Sequence, residues 1–176
     1  MTNTALFSIW LVPASPDRAT LASLIQGLAD RWQASAFLPH ITVYSAEIPI
    51  AEVSQVIASL PKVSKGLKPF TLKVEGVHQG AEFFKAIYLT LDPQPKLRTL
   101  NHRLKEILGR YGDYSPKPHL SLLYKELSET DRRKIISSLT FPKTIAFNEL
   151  GYIVHENWRI EHKLVGKWRY QKLCQM

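Results

Sequence analysis

The sequence predicts an α+β fold in which antiparallel strands alternate with helices. Segments rich in apolar and β-branched residues alternate with segments that have the apolar period of helices. A hairpin signal between two strand-like segments favours antiparallel pairing over a doubly wound parallel sheet. Each half of the chain also contains one copy of a short histidine motif. We therefore expect helices to cover the sheets on one side.

The first half begins with a strand at residues 6–12, which is apolar almost throughout and should be central and buried. A helix is predicted from Pro16 to about residue 33, because proline is favoured at the first helical position. A second helix is predicted at 50–60, where the apolar residues recur at helical spacing and prolines lie on both sides.

The second half continues with strands at about 70–77 and 83–91, joined by a hairpin link at 78–82. A helix follows at about 96–108 and precedes the second histidine motif.

The last third is predicted to hold one helix and then strands. Ser128 followed by Asp131 resembles a capping box at a helix start. Residues 144–173 are interpreted as two or three strands that turn at Gly151 and Asn157.

Composition restricts the class of protein. The chain has 176 residues, of which 45% are apolar and 22% charged, as expected for one globular domain with a proper core. Its net charge of +8 favours anionic partners such as nucleotides, RNA or phosphates, although a merely basic surface would give the same value. The single cysteine, Cys174, excludes an intramolecular disulfide. No signal peptide or membrane span is recognisable, so we expect a cytoplasmic protein.

The two histidine motifs read Pro-His-Ile-Thr-Val and Pro-His-Leu-Ser-Leu. Residues two apart on a strand point to the same face. His40 should therefore lie beside Thr42, and His119 beside Ser121. If both strands face one cleft, two imidazoles and two hydroxyls surround a common point.

Such a site could hydrolyse a phosphodiester without a metal. One neutral histidine can take a proton from water and one protonated histidine can give a proton to the leaving oxygen, since imidazole titrates near ~6.5. The hydroxyls can donate hydrogen bonds to the non-bridging phosphate oxygens.

Three alternatives remain open for the motif residues. A catalytic metal is possible, but the chain has no HExxH motif and neither histidine has an acidic cluster or a cysteine beside it. A nucleophilic hydroxyl with a histidine base is also possible, although no GxSxG motif is present. Each histidine could instead be an ordinary strand residue. The repetition of the motif in each half favours a paired site. The other four histidines lack this context and are interpreted as surface or hydrogen-bonded residues: His78, His102, His155 and His162.

At these residues the chain resembles the 2H phosphoesterase superfamily, which is named for two H-x-[ST]-x motifs, and within it the plant-type cyclic phosphodiesterases. The similarity also includes the first strand around Trp10, the aromatic hairpin at residues 80–91 and the segment that leads into Ser128. It extends to about residue 140 and is weak in the C-terminal third.

The resemblance implies one bilobal domain over residues 1–176. Each of two similar lobes would be an antiparallel sheet with helices on its outer side, and the motif strands would face a central cleft. The implied reactions are hydrolysis of nucleoside 2′,3′-cyclic phosphates to 2′-phosphates and of ADP-ribose 1″,2″-cyclic phosphate to ADP-ribose 1″-phosphate. No metal or other cofactor is implied. His119 would be the general base, His40 the acid, and Thr42 and Ser121 the phosphate-binding groups.

Three aromatic residues, Trp10, Phe84 and Tyr124, match family aromatics near the cleft and could bind the substrate by stacking. Core packing is the alternative role for each. Tyr124 follows Ser121 by three positions, so plain alternation would turn it away from the cleft. Only a bulge or the strand end would bring it back.

Two other functions compete with the cyclic phosphodiesterase. One is the RNA-end-processing branch of the same superfamily, related to 2′-5′ RNA ligases, which would act on RNA 3′ ends. The other is a nucleotide- or RNA-binding module without catalysis, although the presence of both histidines and both hydroxyls argues against it. The expected partner is a small cyclic nucleotide bound by a monomer.

Overall fold

A computed structural model describes residues 3–156, 158 and 163–176. The strands are β1 (Thr4–Pro13), β2 (Ile41–Pro49), β3 (Phe70–Gln79), β4 (Ile87–Leu91), β5 (His119–Leu123), β6 (Thr144–His155) and β7 (Tyr170–Gln175). The helices are α1 (Asp17–Trp32), α2 (Ile50–Ser59), α3 (Pro61–Ser64), α4 (Pro95–Leu108) and α5 (Glu129–Ser137). None of the helices in this part of the chain is long and apolar enough to cross a membrane.

The strands pair antiparallel in the order β1-β2-β5-β4-β3-β6-β7, and β1 also pairs with β6. The first six strands therefore form a ring, with β7 on the outer edge of β6. The predicted α+β class and antiparallel pairing are confirmed. Strands β1 and β2 belong to the first half of the fold, and strands β3, β4 and β5 belong to the second half. The two halves are joined into one sheet, because β6 pairs with β3 through its first residues and with β1 through the rest.

The motif strands β2 and β5 are neighbours at the junction between the two halves, where Ile41 pairs with Leu120. The helices cross between the halves: α1 packs against β5, and α4 packs against β2. Each helix thus follows a strand of one half and covers the motif strand of the other. This arrangement places both motifs at the centre of the fold.

Strand β1 shows how the sheet separates its two faces. Phe7, Ile9 and Leu11 are fully buried in the hydrophobic core. The alternate residues of the same strand, including Ser8 and Trp10, face a cavity on the other side of the sheet. The prediction of a central, buried first strand is correct, since β1 pairs along both of its edges.

The helix start predicted at Ser128 is present in the structure. Its hydroxyl accepts a hydrogen bond from the Asp131 amide at 3.1 Å and donates one to the Asp131 carboxylate at 2.6 Å. This arrangement satisfies one of the amide groups that a helix start leaves without an intrahelical partner.

Two sequence-based boundaries are wrong. The strand predicted from residue 83 begins only at Ile87, because Phe83–Lys85 forms a 3-10 turn. That turn is closed by a hydrogen bond from the Lys85 amide to the Glu82 carbonyl at 3.0 Å, and this local bond outweighs the strand propensity of the phenylalanines.

The second wrong boundary is the turn predicted at Gly151, which instead lies inside β6. Glycine is needed there because a Cβ atom would lie 2.3 Å from the Tyr170 ring. The turn predicted at Asn157 lies outside the described residues.

Candidate active site

The two motif histidines are held in the same way. His40 Nδ1 lies 2.7 Å from the Leu38 carbonyl oxygen, and His119 Nδ1 lies 2.8 Å from the Lys117 carbonyl oxygen. In each motif a proline separates the carbonyl from the histidine and restricts the backbone between them. Because a carbonyl oxygen can only accept, Nδ1 carries a proton in both rings. Nε2 is then the atom left to exchange a proton with a ligand.

Both motifs line one cavity of about 210 Å³. Its wall contains every residue that the sequence predicted for the site: Trp10, His40, Thr42, Phe84, His119, Ser121 and Tyr124. The wall is completed by residues that the sequence did not indicate: Leu6, Ser8, Ile153, Trp158 and Trp168. Side chains from both halves of the sheet, and from the C-terminal third, therefore converge on the same space.

A β-bulge brings Tyr124 into this cavity. On the neighbouring strand, Tyr88 pairs with Ser121, whereas the next residue, Ile87, pairs with Leu123. One residue of β5 is therefore left over, and the alternation of side chains shifts by one position after Ser121. Tyr124 consequently lies on the same face as Ser121, as the sequence analysis required for a role in the cleft.

The first motif strand has the same irregularity. Ile9 pairs with Tyr44 and Trp10 pairs with Thr42, which leaves one extra residue of β2 directly after the motif hydroxyl. Tyr44 therefore points into the core, where it is fully buried. The following residue, Ser45, turns to the cavity side, and its hydroxyl lies 2.7 Å from that of Ser8.

His40 occupies the more enclosed of the two positions. Its ring stacks on Trp10 with centroids 3.6 Å apart and meets the edge of Phe37 at 6.3 Å. Only 7% of the residue is exposed. Burial lowers the pKa of His40 to about 4, opposed by the Leu38 carbonyl and reinforced by the charge of His119. With this pKa, His40 is uncharged at neutral pH unless a nearby anion stabilises its charged form.

His119 is less enclosed and has charged neighbours. The edge of its ring meets Tyr88 at a centroid distance of 5.8 Å. Burial lowers the pKa of His119, and the Lys117 carbonyl opposes this effect. Lys85 lowers the pKa further, and Glu82 raises it. The two imidazoles therefore share one cavity but differ in their surroundings.

The second motif hydroxyl already has a protein partner. Ser121 Oγ donates a hydrogen bond to the Phe84 carbonyl oxygen at 2.8 Å. A serine hydroxyl has one proton, so Ser121 can donate to a ligand only if it releases this carbonyl. The 3-10 turn at Phe83–Lys85 thus controls the orientation of a predicted phosphate-binding group.

Trp168 is the main site residue that sequence reasoning missed. Its ring lies 6.0 Å from Trp10, 5.7 Å from Phe84 and 6.1 Å from Tyr124, measured between centroids. It therefore contacts aromatic residues of both halves and closes the cavity. Tyr170, two residues later, stacks on Trp10 at 6.0 Å. This pair of aromatics two positions apart is the signal in the sequence that could have indicated their role.

A comparison of the sequence with protein families identifies the superfamily of this chain. The model of the 2′-5′ RNA ligase superfamily matches residues 12–158, which include both histidine motifs. The chain belongs to this superfamily, the 2H phosphoesterases. The resemblance proposed from the two motifs is therefore confirmed.

Two relatives of this 2H phosphoesterase are named as phosphodiesterases. A cyclic phosphodiesterase of Arabidopsis thaliana is 29% identical over 129 residues, which are 73% of this chain and 70% of the relative. A 2′,3′-cyclic-nucleotide 3′-phosphodiesterase of Yarrowia lipolytica is 32% identical over 136 residues, covering 73% of this chain and 61% of the relative.

Solved structures of E. coli LigT share the fold of this 2H phosphoesterase at low sequence identity. The apo form has a TM-score of 0.61 at 18% identity and covers 99% of this chain and 97% of its own. The complex with 3′-AMP has a TM-score of 0.59, also at 18% identity, and covers 98% of this chain and 97% of its own.

The remaining histidines of this 2H phosphoesterase lie elsewhere. His78 and His102 are exposed, as expected. His155 is 7% exposed, and its Nε2 has no hydrogen-bond partner among the described residues, so the expectation of a surface or hydrogen-bonded histidine is wrong for that atom. His162 lies outside the described residues. Across residues 3–156, 158 and 163–176, no three His, Cys, Asp or Glu side chains are grouped so that they could hold a metal ion.

Proposed function

We propose that this 2H phosphoesterase hydrolyses cyclic phosphodiesters of nucleotides by acid–base catalysis with His40 and His119. The expected reactions convert nucleoside 2′,3′-cyclic phosphates to 2′-phosphates and ADP-ribose 1″,2″-cyclic phosphate to ADP-ribose 1″-phosphate. The observation that carries the proposal is the placement of both imidazoles, each with Nδ1 bound to a carbonyl, together with both motif hydroxyls in one cavity. The names of the two phosphodiesterase relatives support hydrolysis of cyclic phosphodiesters in general.

In the proposed step, water attacks phosphorus opposite the leaving 3′ oxygen. Nε2 of one histidine takes a proton from the water as the new P–O bond forms. Nε2 of the other gives its proton to the 3′ oxygen as the old P–O bond breaks, which yields a 2′-phosphate and a free 3′ hydroxyl. Thr42 donates a hydrogen bond to a non-bridging oxygen, where negative charge is concentrated, and Ser121 donates another once its hydroxyl has turned away from the Phe84 carbonyl.

The two histidines need opposite protonation states. The family resemblance assigns the base to His119 and the acid to His40. At about 1.4 kcal/mol per pH unit, a pKa of about 4 instead of 6.5 makes the protonation of His40 about 3 kcal/mol less favourable than in water. His40 can therefore act as the acid only if the bound anionic phosphate stabilises its charged form.

The pH dependence of kcat distinguishes this assignment from its reverse. A variant without the general base loses the rise in rate that accompanies deprotonation of that base. A variant without the acid loses the fall in rate at high pH. We therefore expect the residual activity of His119→Ala to lack the rise and that of His40→Ala to lack the fall. The opposite pattern would exchange the two roles.

The first experiment measures turnover of 2′,3′-cyclic AMP and ADP-ribose 1″,2″-cyclic phosphate in the presence of EDTA. Wild type should cleave at least one of them, and His40→Ala or His119→Ala should each cost about 10²–10⁴ in rate. The matched control is His102→Ala, a replacement of an exposed histidine on α4, which should leave the rate unchanged.

Two outcomes would contradict the proposal. If EDTA abolished activity and zinc restored it, the metal-free mechanism would be wrong. If folded wild type cleaved neither compound, hydrolysis of small cyclic nucleotides would be wrong, and a short RNA with a 2′,3′-cyclic phosphate end would then be tested. Equal binding of nucleotide by wild type and His119→Ala, without turnover of any substrate, would indicate a binding module.

A further inference from the structure

A second cavity, of about 310 Å³, lies beside the active-site cavity. Tyr124 lines both, and Phe83 of the second cavity is next in sequence to Phe84 of the first. Two lysines, Lys125 and Lys163, line the second cavity, and no acidic residue does so among the described residues. Two lysines therefore line a concave space that aromatic side chains separate from the motif histidines.

Both lysines retain donors for a ligand. Lys125 Nζ donates a hydrogen bond to the Gln33 carbonyl oxygen at 3.0 Å, at the end of α1. An ammonium group has three donors, so this bond occupies one of them and leaves the full charge in place. Lys163 Nζ lies 5.2 Å from the centroid of the Phe83 ring and forms an ion pair with the exposed carboxylate of Glu126.

The two cavities are close enough for one nucleotide to reach both. Lys125 follows Ser121 by four residues, so their Cα atoms are at most about 13 Å apart at ~3.3 Å per residue. A phosphate held by Ser121 and a second anionic group near Lys125 could therefore belong to a single molecule.

We propose that this second cavity binds an additional phosphate of the substrate, one on the side of the nucleoside remote from the cyclic phosphate. The inference rests on the proposed function and narrows its substrate class. Cyclic nucleotides that carry a further phosphate are preferred over nucleoside 2′,3′-cyclic phosphates that carry only the cyclic one. Lys125 supplies the charge, Lys163 supplies further donors beside its ion pair with Glu126, and Tyr124 forms the wall between the two phosphate positions.

Binding tests this inference independently of turnover. Adenosine 2′-phosphate and adenosine 2′,5′-bisphosphate differ only in the additional phosphate, and their Kd values can be measured by calorimetry. Wild type should bind the bisphosphate about tenfold more tightly, as expected for one charge-assisted hydrogen bond. The ratio of the two Kd values should fall towards one in Lys125→Met and in Lys163→Met, and also at high salt.

Two control variants separate ligand binding from a structural role of Lys125 at the end of α1. Lys125→Arg keeps the charge and should keep most of the preference. Lys134→Met removes an exposed lysine of α5 that lines neither cavity, and should leave the ratio of Kd values as in wild type.

The outcomes for this inference and for the proposed function are distinguishable. Equal Kd values for the two ligands in wild type would overturn the second phosphate site, even if 2′,3′-cyclic AMP were cleaved. A preference that survived in Lys125→Met and Lys163→Met would also overturn it. A tenfold preference lost in these variants would support the site, even if turnover assays refuted the proposed reaction.

Discussion

The burial of His40 predicts that the stability of the folded protein falls as the pH decreases through the range where histidine normally titrates. In the unfolded chain the imidazole accepts a proton near pH 6.5, whereas in the folded protein its pKa is lowered to about 4. Between these values the unfolded state binds the additional proton, so the free energy of unfolding decreases as the pH decreases. Above about pH 7 both states are neutral at this residue and it contributes no pH dependence.

The expected size of the effect follows from the difference between the two pKa values. At about 1.4 kcal/mol per pH unit, His40 should lower the free energy of unfolding by up to about 3 kcal/mol between pH 6.5 and pH 4. Only 7% of the residue is exposed, so little screening by solvent is expected. The pKa of His119 is also lowered by burial, so this residue too makes the free energy of unfolding decrease as the pH decreases.

The assay is urea unfolding at a series of pH values for wild type, His40→Gln and His102→Gln. Carboxylates also titrate in this range, so the informative quantity is the difference between variants. His40→Gln should lose up to about 3 kcal/mol less than wild type between pH 6.5 and 4, whereas His102→Gln should follow wild type. The pKa of His40 can be measured directly from its imidazole NMR signals. Equal losses in wild type and His40→Gln, or a measured pKa near 6.5, would refute the reasoning.

Three further predictions concern residues around the site. Trp10→Leu removes the ring stacked on His40 and should raise the pKa of His40 towards 6.5, as measured by NMR; an unchanged value would show that other groups bury this histidine. Gly151→Ala places a methyl group 2.3 Å from the Tyr170 ring and should destabilise the fold by about 1–3 kcal/mol in urea unfolding, with partial recovery on adding Tyr170→Ser; no recovery would contradict this cause. Ser121→Ala should lower kcat by about tenfold or more while urea unfolding shows a folded protein, and a rate within twofold of wild type would exclude this hydroxyl from catalysis.

The candidate site was largely predictable because its signal is local and occurs twice. His40 and Thr42 are two residues apart, as are His119 and Ser121, so each pair lies on one face of its strand. This placement depends only on the local strand backbone. The proline before each histidine is likewise part of the local geometry, since it holds the carbonyl that binds Nδ1. Strand β1 and the helix start at Ser128 were predictable for the same reason, because apolar runs and helix caps act over a few residues.

Features of the site that depend on contacts between distant segments could not be predicted from the sequence. The repeated motif, the apolar periodicity and the proline positions predicted the α+β class, the two motif strands and the two histidines that we propose as the acid–base pair. The tertiary structure alone decided that Trp168 would close the cavity, that Gly151 would lie within a strand opposite Tyr170, and that the Ser121 hydroxyl would be held by the Phe84 carbonyl. It also decided the difference between the two histidines, because the pKa of His40 depends on how completely Trp10 and its neighbours exclude water. Spacing along a strand is a property of the backbone, whereas burial and hydrogen-bond partners depend on side chains that are far apart in the sequence.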